Sequence, residues 1–381
     1  MPQLDITLTC PMHDSFRVQQ VAGMFGLSID GSCRETFSVD VPSLDEPWQI
    51  GAIVGPSGSG KTTVAHAAFG RYFAKPRRWP RDRAVIDCFG EDSIREITRL
   101  LSAVGLSSPP AWIKPYHVLS TGERFRCDLA WALAREVQGP RSKVQSQTAP
   151  TLDLGLRTLD LRACALIDEF TSVVDRTTAR FASAAVSRAI RSGSIACRLV
   201  AVTCHRDILR WLEPDWALDM GTGELTRGRL RRPPIRLRLV RGTRDAWPLF
   251  ARHHYLDSDL PRGVTIYIGV IGGRPAAFCA WMALFGHRGV FRIARLVVLP
   301  EFQGVGIGGA VLRACCGLIR QQGRRATITT SHPAMIAHLR RSPDWQIRAV
   351  KPLGGNRSGI PSANYRASTG RPVVSAEFVP K

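Results

Sequence analysis

Apolar and polar positions divide the chain into two stretches with different patterns. In the first, short β-favouring apolar runs alternate with stretches whose apolar residues recur at helical spacing, which predicts an α/β domain. A polar run at 138–150 interrupts them and predicts a surface loop. The predicted strands are 37–41, 50–54, 84–87, 163–167 and 195–203.

The second stretch has the pattern of an α+β domain. Two apolar runs separated by Gly272 and Gly273 predict a hairpin, and apolar residues recur at helical spacing from Val311 to Ile319. A further helix is predicted at 333–340, and a Gly-, Arg- and Ser-rich loop at 354–371. The predicted strands are 235–240, 264–271, 276–284, 292–299, 326–330, 345–350 and 373–378.

A basic run that ends in two prolines, residues 226–234, lies between the two stretches and predicts a linker. We therefore expect one domain over 1–232 and a second over 233–381. A chain of 381 residues with 44% hydrophobic content can build two cores.

Residues 55–62 fit the pattern G-x-x-x-x-G-K-[ST] of a mononucleotide P-loop. They follow one predicted strand and precede a helical stretch, the context in which such a loop binds phosphate. Backbone N–H groups of the loop converge on the phosphates, a lysine adds positive charge and a hydroxyl completes magnesium coordination. The predicted ATP-binding residues are Gly55, Ser57, Gly58, Gly60, Lys61, Thr62 and Thr63.

The apolar strand at 163–167 ends in two carboxylates, Asp168 and Glu169. Together with Thr62, Asp168 is predicted to hold Mg²⁺. Glu169 is predicted to polarise the water that attacks ATP.

The order of these and three later segments resembles the ABC-class ATPases over residues 16 to 225. Residues 119–123, Leu-Ser-Thr-Gly-Glu, resemble the signature motif, although alone they fit a helix capping box. Residues 172–175 resemble the D-loop, His205 the switch histidine, and Phe25 the aromatic residue that stacks on adenine. The resemblance implies a head-to-tail homodimer in which Ser120 and Gly122 of one protomer close over ATP bound at Lys61 of the other.

Two departures from that family change the expected function. No glutamine lies between Lys61 and Ser120, so the glutamine of the family's Q-loop is missing and Asp87 is the nearest positional substitute. The same segment is shorter than in transporter ATPases, in which it grips the membrane subunit. Both departures argue against a transporter subunit.

The second stretch contains a different glycine pattern, Gln303-Gly304-Val305-Gly306-Ile307-Gly308, after a strand that ends in Pro300. The pattern resembles motif A of the GNAT acyltransferases, and the strand order over 235–381 is similar to theirs. The resemblance implies that Gln303, Gly304, Val305, Gly306 and Gly308 bind the pyrophosphate of acetyl-CoA or another acyl-CoA. It also implies that a splayed strand containing Val297 and Val298 pairs with the pantetheine arm.

The catalytic groups of the second stretch are predicted less directly. The family often uses a tyrosine as the acid on the helix after its fifth strand. The matching helix, 333–340, has no tyrosine, and His338 lies closest to that position. His254 and Tyr255 lie where the acceptor enters, and Ser331 and His332 end the next strand. Any single histidine could instead be a surface or capping residue.

Fifty-two Lys and Arg against 31 Asp and Glu give a net charge of +21, almost all of it from arginine. Arginine suits phosphate contacts, so nucleic acid is the expected partner and acceptor, although a GC-rich genome also enriches arginine. A small-molecule or protein N-acetyltransferase regulated by ATP is the alternative. None of the ten cysteines forms a C-x-x-C pair, and no apolar run is long enough for a membrane span, so we expect a cytoplasmic protein with no membrane contact.

Overall fold

A computed structural model describes residues 3–11, 13–27, 32–137, 163–255, 259–351 and 372–380. The loops predicted at 138–150 and 354–371 lie outside the described residues. Within the described part of the chain no helix is long and apolar enough to cross a membrane.

The N-terminal part contains a five-stranded sheet, in which four parallel strands are followed by one antiparallel edge strand. The sheet order is β4-β5-β3-β6-β7. A separate antiparallel pair, β1-β2, precedes it. The strands are β1 (Gln3–Pro11), β2 (Ser32–Asp40), β3 (Ile50–Val54), β4 (Cys164–Ile167), β5 (Arg198–Thr203), β6 (Trp216–Asp219) and β7 (Glu224–Arg227).

Helices cover both faces of this sheet and form one core on each. The described helices are α1 (Phe16–Phe25), α2 (Lys61–Phe69), α3 (Ile94–Ala103), α4 (Pro109–Trp112), α5 (Thr121–Val137), α6 (Arg176–Arg191) and α7 (Leu209–Leu212). One core packs α3, α5 and α6 against the sheet. The other packs α2 against the opposite face and against β2.

The C-terminal part is built on a seven-stranded sheet of order β13-β14-β12-β11-β10-β9-β8. Its strands are β8 (Arg238–Arg241), β9 (Thr265–Ile271), β10 (Arg274–Ala283), β11 (Val290–Val298), β12 (Arg325–Thr330), β13 (Trp345–Lys351) and β14 (Val373–Phe378). Its helices are α8 (Trp247–Ala251), α9 (Ile307–Gln321) and α10 (Pro333–Arg341). The chain passes from the first sheet to the second between Arg227 and Arg238, an interval that contains most of the predicted linker.

The parallel pair β11-β12 separates half-way along its length. Pairing runs from Val290 with Arg325 to Ile293 with Ile328 and then stops, while β11 stays paired with β10 as far as Val298. An irregularity in the β10-β11 register, between Ala280 and Trp281, lies next to the point of separation. Residues 294–298 therefore present a strand edge that β12 does not cover.

Helix α6 joins the two parts, because it is buried almost all round. Ala182 and Val186 belong to the N-terminal core, whereas Phe181 belongs to the C-terminal core. The ring of Phe181 packs edge-on against Phe302 with centroids 5.0 Å apart. Small alanine and serine side chains along α6 let both cores approach the helix closely.

The predicted fold class is confirmed, and most predicted strands are found within a few residues of their bounds. The strand predicted at 84–87 is wrong: residues Val85–Cys88 form a 3-10 turn, and only an isolated bridge from Ala84 to Pro115 remains of strand pairing. Asp87, the suggested substitute for the Q-loop glutamine, is exposed on this turn. Strands β1, β6 and β7 were not predicted.

Candidate functional site

The P-loop connects the buried strand β3 to helix α2. Gly55, Gly58 and Gly60 all have positive φ (155°, 80° and 77°), a conformation that other residues rarely adopt. Lys61 begins α2, and its Nζ donates to the carbonyl of Pro56 at 2.5 Å. The lysine is thus held over the loop's own backbone, as a phosphate cradle requires.

Thr62, in the first turn of α2, is brought together with Asp168, which follows the carboxyl end of β4. The hydroxyl Oγ1 of Thr62 donates to Oδ2 of Asp168 at 2.9 Å, across 106 residues of sequence. Two adjacent oxygen donors beside a phosphate cradle fit a magnesium ion. Ser57 lies in the same loop, and Thr63 lies in the first turn of α2.

Glu169 follows Asp168 in a left-handed backbone conformation, with φ of 51°. Its N–H donates to Oδ1 of Asp168 at 2.8 Å. Such a conformation costs a non-glycine residue free energy and is characteristic of functional sites. His205 follows β5, the strand that pairs in parallel with β4, so Glu169 and His205 lie at the same edge of the sheet.

The signature segment (residues 119–123) starts α5 with the hydrogen bonds of a capping box. The Ser120 N–H and hydroxyl both donate to Glu123 Oε2, at 2.9 and 2.8 Å. A Cβ added at Gly122 would lie 3.2 Å from Cγ2 of Thr178 on α6. The starts of α5 and α6 therefore pack directly on one another.

Two aromatic residues differ in their relation to the P-loop. Phe25 ends α1 and is 71% exposed. Phe37 of β2, which sequence reasoning did not select, lies against the loop: a Cβ at Gly60 would be 2.5 Å from its ring. Phe37 therefore contacts the loop, whereas the stacking of Phe25 on adenine stays a prediction.

The glycine loop (residues 300–306) runs along α6 as a ladder. Phe302 contacts Phe181, Gly304 lies against Ala185, and Gly306 lies against Arg188. Residues 181, 185 and 188 lie on one side of α6 and face residues 302, 304 and 306 of the loop, one to one. A Cβ at Gly304 would lie 2.5 Å from that of Ala185, so only glycine allows this approach.

A short segment of the N-terminal part, residues 105–112 (the arm), contacts the C-terminal part. Ser107 of this arm makes two hydrogen bonds to it. The N–H of Ser107 donates to Oε1 of Gln303 at 2.7 Å. The carbonyl of Ser107 accepts from Nε2 of His332, also at 2.7 Å. The amide nitrogen of Gln303 donates to Val298, so its side chain is fully engaged in positioning the loop.

Arg126 lies behind this arm and is almost completely buried, at 1% exposure. Its Nη1 donates to the carbonyl of Gly122 at 3.1 Å, whereas Nε and Nη2 find no hydrogen-bond partner in the described part of the chain. Burial lowers the pKa of Arg126 to about 10, and the charges of Glu301, Glu123 and Asp175 oppose that shift. The cation is therefore balanced by carboxylates of the glycine loop, the signature segment and the predicted D-loop.

The side chains predicted at the acceptor side converge at the end of β12. The Tyr255 hydroxyl oxygen accepts from the N–H of Ser331 at 3.4 Å, and its ring lies 5.9 Å from that of His332 and 5.3 Å from that of His254. Burial lowers the pKa of His332, against the opposing effect of its bond to Ser107. Since a carbonyl can only accept, Nε2 of this neutral ring carries the proton and Nδ1 keeps a lone pair.

His338, a residue of α10, packs against the start of α9. A Cβ added at Gly309 would be 2.8 Å from its ring. Burial and the charges of Arg341, Arg313 and Arg188 lower the pKa of His338. His338 is thus a neighbour of the N-terminal end of α9.

Residues 235–340 match the model of the acetyltransferase (GNAT) family. The match spans the separated strands β11 and β12, the glycine loop and α9. The chain carries a GNAT acetyltransferase domain. The N-terminal part is ABC-cassette-like, on the evidence of the sheet order, the P-loop and the paired Thr62 and Asp168. A comparison with curated proteins found no match.

Solved structures of both kinds resemble parts of the chain. The acetyltransferase of Bacillus subtilis in complex with CoA is 14% identical, covers 38% of this chain and 99% of its own, and has a TM-score of 0.30. A GNAT family acetyltransferase from Elizabethkingia anophelis with acetyl-CoA bound is 12% identical over 38% of this chain and 97% of its own, at 0.28. A dimeric post-hydrolysis state of the ATP-binding cassette MJ0796, bound to ADP and Pi, is 13% identical over 61% of this chain and 99% of its own, at 0.37.

The GNAT domain fits an acyl-CoA in two respects. The edge of β11 from 294 to 298, with Val297 and Val298, is uncovered where an extended pantetheine arm can pair with it. The first-turn N–H groups of α9, after Gly306, suit phosphate. Sequence reasoning missed Gly105, Ser107, Arg126 and Arg188, whose partners in the other part are far away in sequence.

Proposed function

We propose that this chain is an ATP-dependent, acyl-CoA-dependent N-acyltransferase that acts on nucleic acid. The observation that carries the proposal is the double contact of Ser107, which ties the N-terminal part to both ends of the acyltransferase site. A segment that would grip a membrane subunit in a transporter here grips the acyltransferase domain.

The acyltransferase residues suit transfer from a thioester to an amine. When bound, acyl-CoA supplies the activated acyl group. Nδ1 of His332 would take the proton that the attacking amine loses, because the ring is held neutral. Tyr255 accepts a hydrogen bond from Ser331, so its own proton is available for the sulfur that leaves as the C–S bond breaks. His254 packs against Tyr255 and would orient it.

The ATP site supports a cycle of assembly. Lys61, Thr62 and Asp168 would hold Mg-ATP, with Glu169 polarising the water and His205 beside it. One chain has one P-loop and one signature segment, and we propose that two copies pair head to tail so that Ser120 and Gly122 of one close over the nucleotide of the other. A helix N-terminus directed at a phosphate is favourable.

Closure of the dimer on ATP would displace residues of the acyltransferase site, because packed side chains connect the two sites. Closure would displace the start of α5, which is bonded to Arg126 and packed on α6. Arg274 of β10 extends the same network, because its Nη1 donates to Thr177 at the start of α6 at 3.2 Å and its Nη2 lies 3.7 Å from Glu301. The glycine loop would therefore move with the ATP dimer.

Nucleic acid is the proposed acceptor because of the net charge of +21 and a groove of matching chemistry. The groove has a volume of about 460 Å³ and is lined by Arg180, Arg206, Asp207, Arg210 and Trp211, beside the linker residues Leu230 and Pro233. Asp207 pairs with Arg180 and Asp219 pairs with Arg206, so Arg210 is the lining arginine without an ion pair among the described residues. Arginine for phosphate and tryptophan for bases is the combination that single-stranded nucleic acid requires.

The test is transfer of a labelled acetyl group from acetyl-CoA in the presence and absence of ATP, with RNA, DNA, polyamines or peptides as acceptors. We expect label in nucleic acid, at least fivefold more with ATP than without it. Label in polyamine or peptide alone would move the function to the alternative class. Transfer that ignores ATP would contradict the coupling.

A further inference from the structure

Arg188 is the last member of the α6 ladder, and its guanidinium lies at the N-terminus of α9. A Cβ added at Gly306, the N-cap of α9, would be 2.8 Å from Nη1 of Arg188. Arg188 belongs to the ATPase-like part, whereas Gly306 belongs to the acyltransferase domain. The contact therefore places a cation from one part inside the phosphate loop of the other.

The two charges that shift the pKa of Arg188 are both positive. Partial burial, together with Arg341 and Arg232, lowers the pKa of Arg188. Among the described residues its side chain makes no ion pair, unlike Arg180 and Arg176 of the same helix, which both pair with Asp207.

An arginine at a helix N-terminus is electrostatically unfavourable by itself. The first-turn N–H groups of α9 carry partial positive charge, and cations are stabilised at the opposite end of a helix. The guanidinium of Arg188 and these N–H groups converge where glycine at 306 leaves no side chain to separate them. The arrangement becomes favourable when an anion with several oxygens lies between them.

We propose that Arg188 binds the pyrophosphate of the acyl donor, so that the acyl-CoA site is completed by the ATPase-like part. The inference rests on the proposed function. The pyrophosphate would lie between the α9 N-terminus on one side and the guanidinium group of Arg188 on the other. Asp175 is the N-cap of helix α6, so a shift of the predicted D-loop would carry Arg188 with it.

Binding calorimetry on the full chain, with CoA and 3′-dephospho-CoA as probes, tests this assignment. Arg188→Gln should weaken binding of both probes by roughly tenfold or more, since it removes charge-assisted hydrogen bonds to the pyrophosphate that they share. Arg320→Gln is the control at the opposite end of α9, where the side chain is exposed, and should bind both probes like the wild type.

The outcomes separate this inference from the proposed function. Unchanged CoA affinity in Arg188→Gln, with binding retained by the wild type, would overturn the assignment and leave the acyltransferase intact. Tighter binding in the variant would also overturn it, because Arg188 would then block the loop. A loss for CoA that spares 3′-dephospho-CoA would reassign the arginine to another phosphate. Absence of CoA binding by the wild type would overturn the proposed acyl donor and the assignment with it.

ATP affinity provides the folding control. Lys61 and Asp168 lie outside the α6 ladder, so Arg188→Gln should bind ATP as the wild type does. A variant that loses ATP and CoA together is misfolded, and Arg188→Lys then decides the question. Lysine keeps the charge without the planar fork, so an intermediate CoA affinity supports the assignment and wild-type affinity contradicts the bidentate contact.

Discussion

The P-loop and the glycine loop of this chain differ in what surrounds them. In the P-loop, Gly58 faces open space, and Lys61 is held by a carbonyl of the loop itself. In the glycine loop, Gly304 and Gly306 face Ala185 and Arg188 of another part of the chain. One loop is supported from its own domain and open outward. The other is covered by a helix from elsewhere.

The difference indicates where each site can be regulated. An open P-loop can be completed by a second molecule, as the proposed dimer requires. A loop packed against α6 changes only when α6 or the arm changes, since tightly packed contacts transmit displacements. Under the proposed function, ATP binding would be coupled to dimer assembly, whereas binding of the acyl donor would depend on contacts within one chain.

The largest expected effect is at the open loop. Glu169→Gln should reduce ATP hydrolysis by roughly 100-fold or more, because it removes the group that polarises water. The variant should collect as an ATP-bound dimer in size-exclusion chromatography. Acyl-CoA affinity without ATP should be unchanged. Glu213→Gln changes another glutamate with positive φ and should hydrolyse ATP normally. A Glu169→Gln protein that stays monomeric in ATP would contradict the dimer mechanism.

The next largest effect is expected at Arg126, the buried arginine between the signature segment and the glycine loop. Replacing Arg126 by Met removes an incompletely bonded buried charge and keeps most of its volume, so folding stability should change little. The effect of ATP on acyl-CoA affinity should fall from fivefold or more, in the range of about 5–150-fold typical of allosteric coupling, to nearly none. Calorimetric titration of CoA with and without ATP measures it.

Arg124→Met is the matched control on the same helix. Its guanidinium bonds the carbonyl of Leu119 and does not reach the glycine loop in any described contact. Coupling that survives in Arg126→Met but disappears in Arg124→Met would show that the signature segment, and not the buried charge, transmits the signal.

A smaller effect is expected at Gly105, which packs against Gly304 of the glycine loop. Gly105 has φ of 89°, and a Cβ there would lie 3.1 Å from the carbonyl oxygen of Gln303. Gly105→Ala should lower the free energy of unfolding by roughly 1–3 kcal/mol and weaken CoA binding. Gly193→Ala has a similar φ of 70° with open space around it, so it carries the backbone strain alone. Equal CoA affinity in the two variants, measured beside urea unfolding, would argue against the contact.

The smallest effect is a pH dependence of the covered site. Burial lowers the pKa of His332 in the folded protein, so the unfolded chain binds this proton more readily. Stability is then fully present above the ordinary histidine pKa of about 6.5 and falls as pH drops below it. His253 and His338 act in the same direction.

Comparing the wild type with His332→Gln isolates the contribution of His332. The free energy of unfolding should be measured with urea between about pH 7.5 and pH 5, a range that brackets the histidine pKa of about 6.5. It should decline less for the variant than for the wild type. His287→Gln, on an exposed turn, should follow the wild type. Parallel declines in all three proteins would mean that burial does not hold His332 neutral in the folded protein.

Local patterns predicted the elements well where one chain segment decides the outcome. The apolar alternation of 373–378 matches β14, and the P-loop lies between β3 and α2 as its pattern requires. The run 84–87 has strand-like composition but no neighbour to pair with beyond one bridge, so it forms a 3-10 turn instead. Strand β7 was missed because most of its residues are exposed and carry no apolar alternation.

The contacts between the two parts could not be predicted from the sequence. Ser107 and Gln303 are 196 residues apart, and Ser107 and His332 are 225 apart, so neither pairing leaves a local signal. Phe181 and Ala185 look like ordinary helix-core residues, since a 3.6-residue period shows that a face is buried but not against which partner. Arg126 has the polar character of a surface residue, yet it is buried.

The continuous burial of α6 also bears on whether the two parts can be separated. A cut in the linker between Arg227 and Arg238 would remove the covalent connection but leave Phe181 inserted in the neighbouring core. Expressed alone, the acyltransferase domain would expose Phe302 and the surface that Ala185 covers. The gene can be divided at the linker, but the folding unit cannot, and the two products should be recovered as one complex.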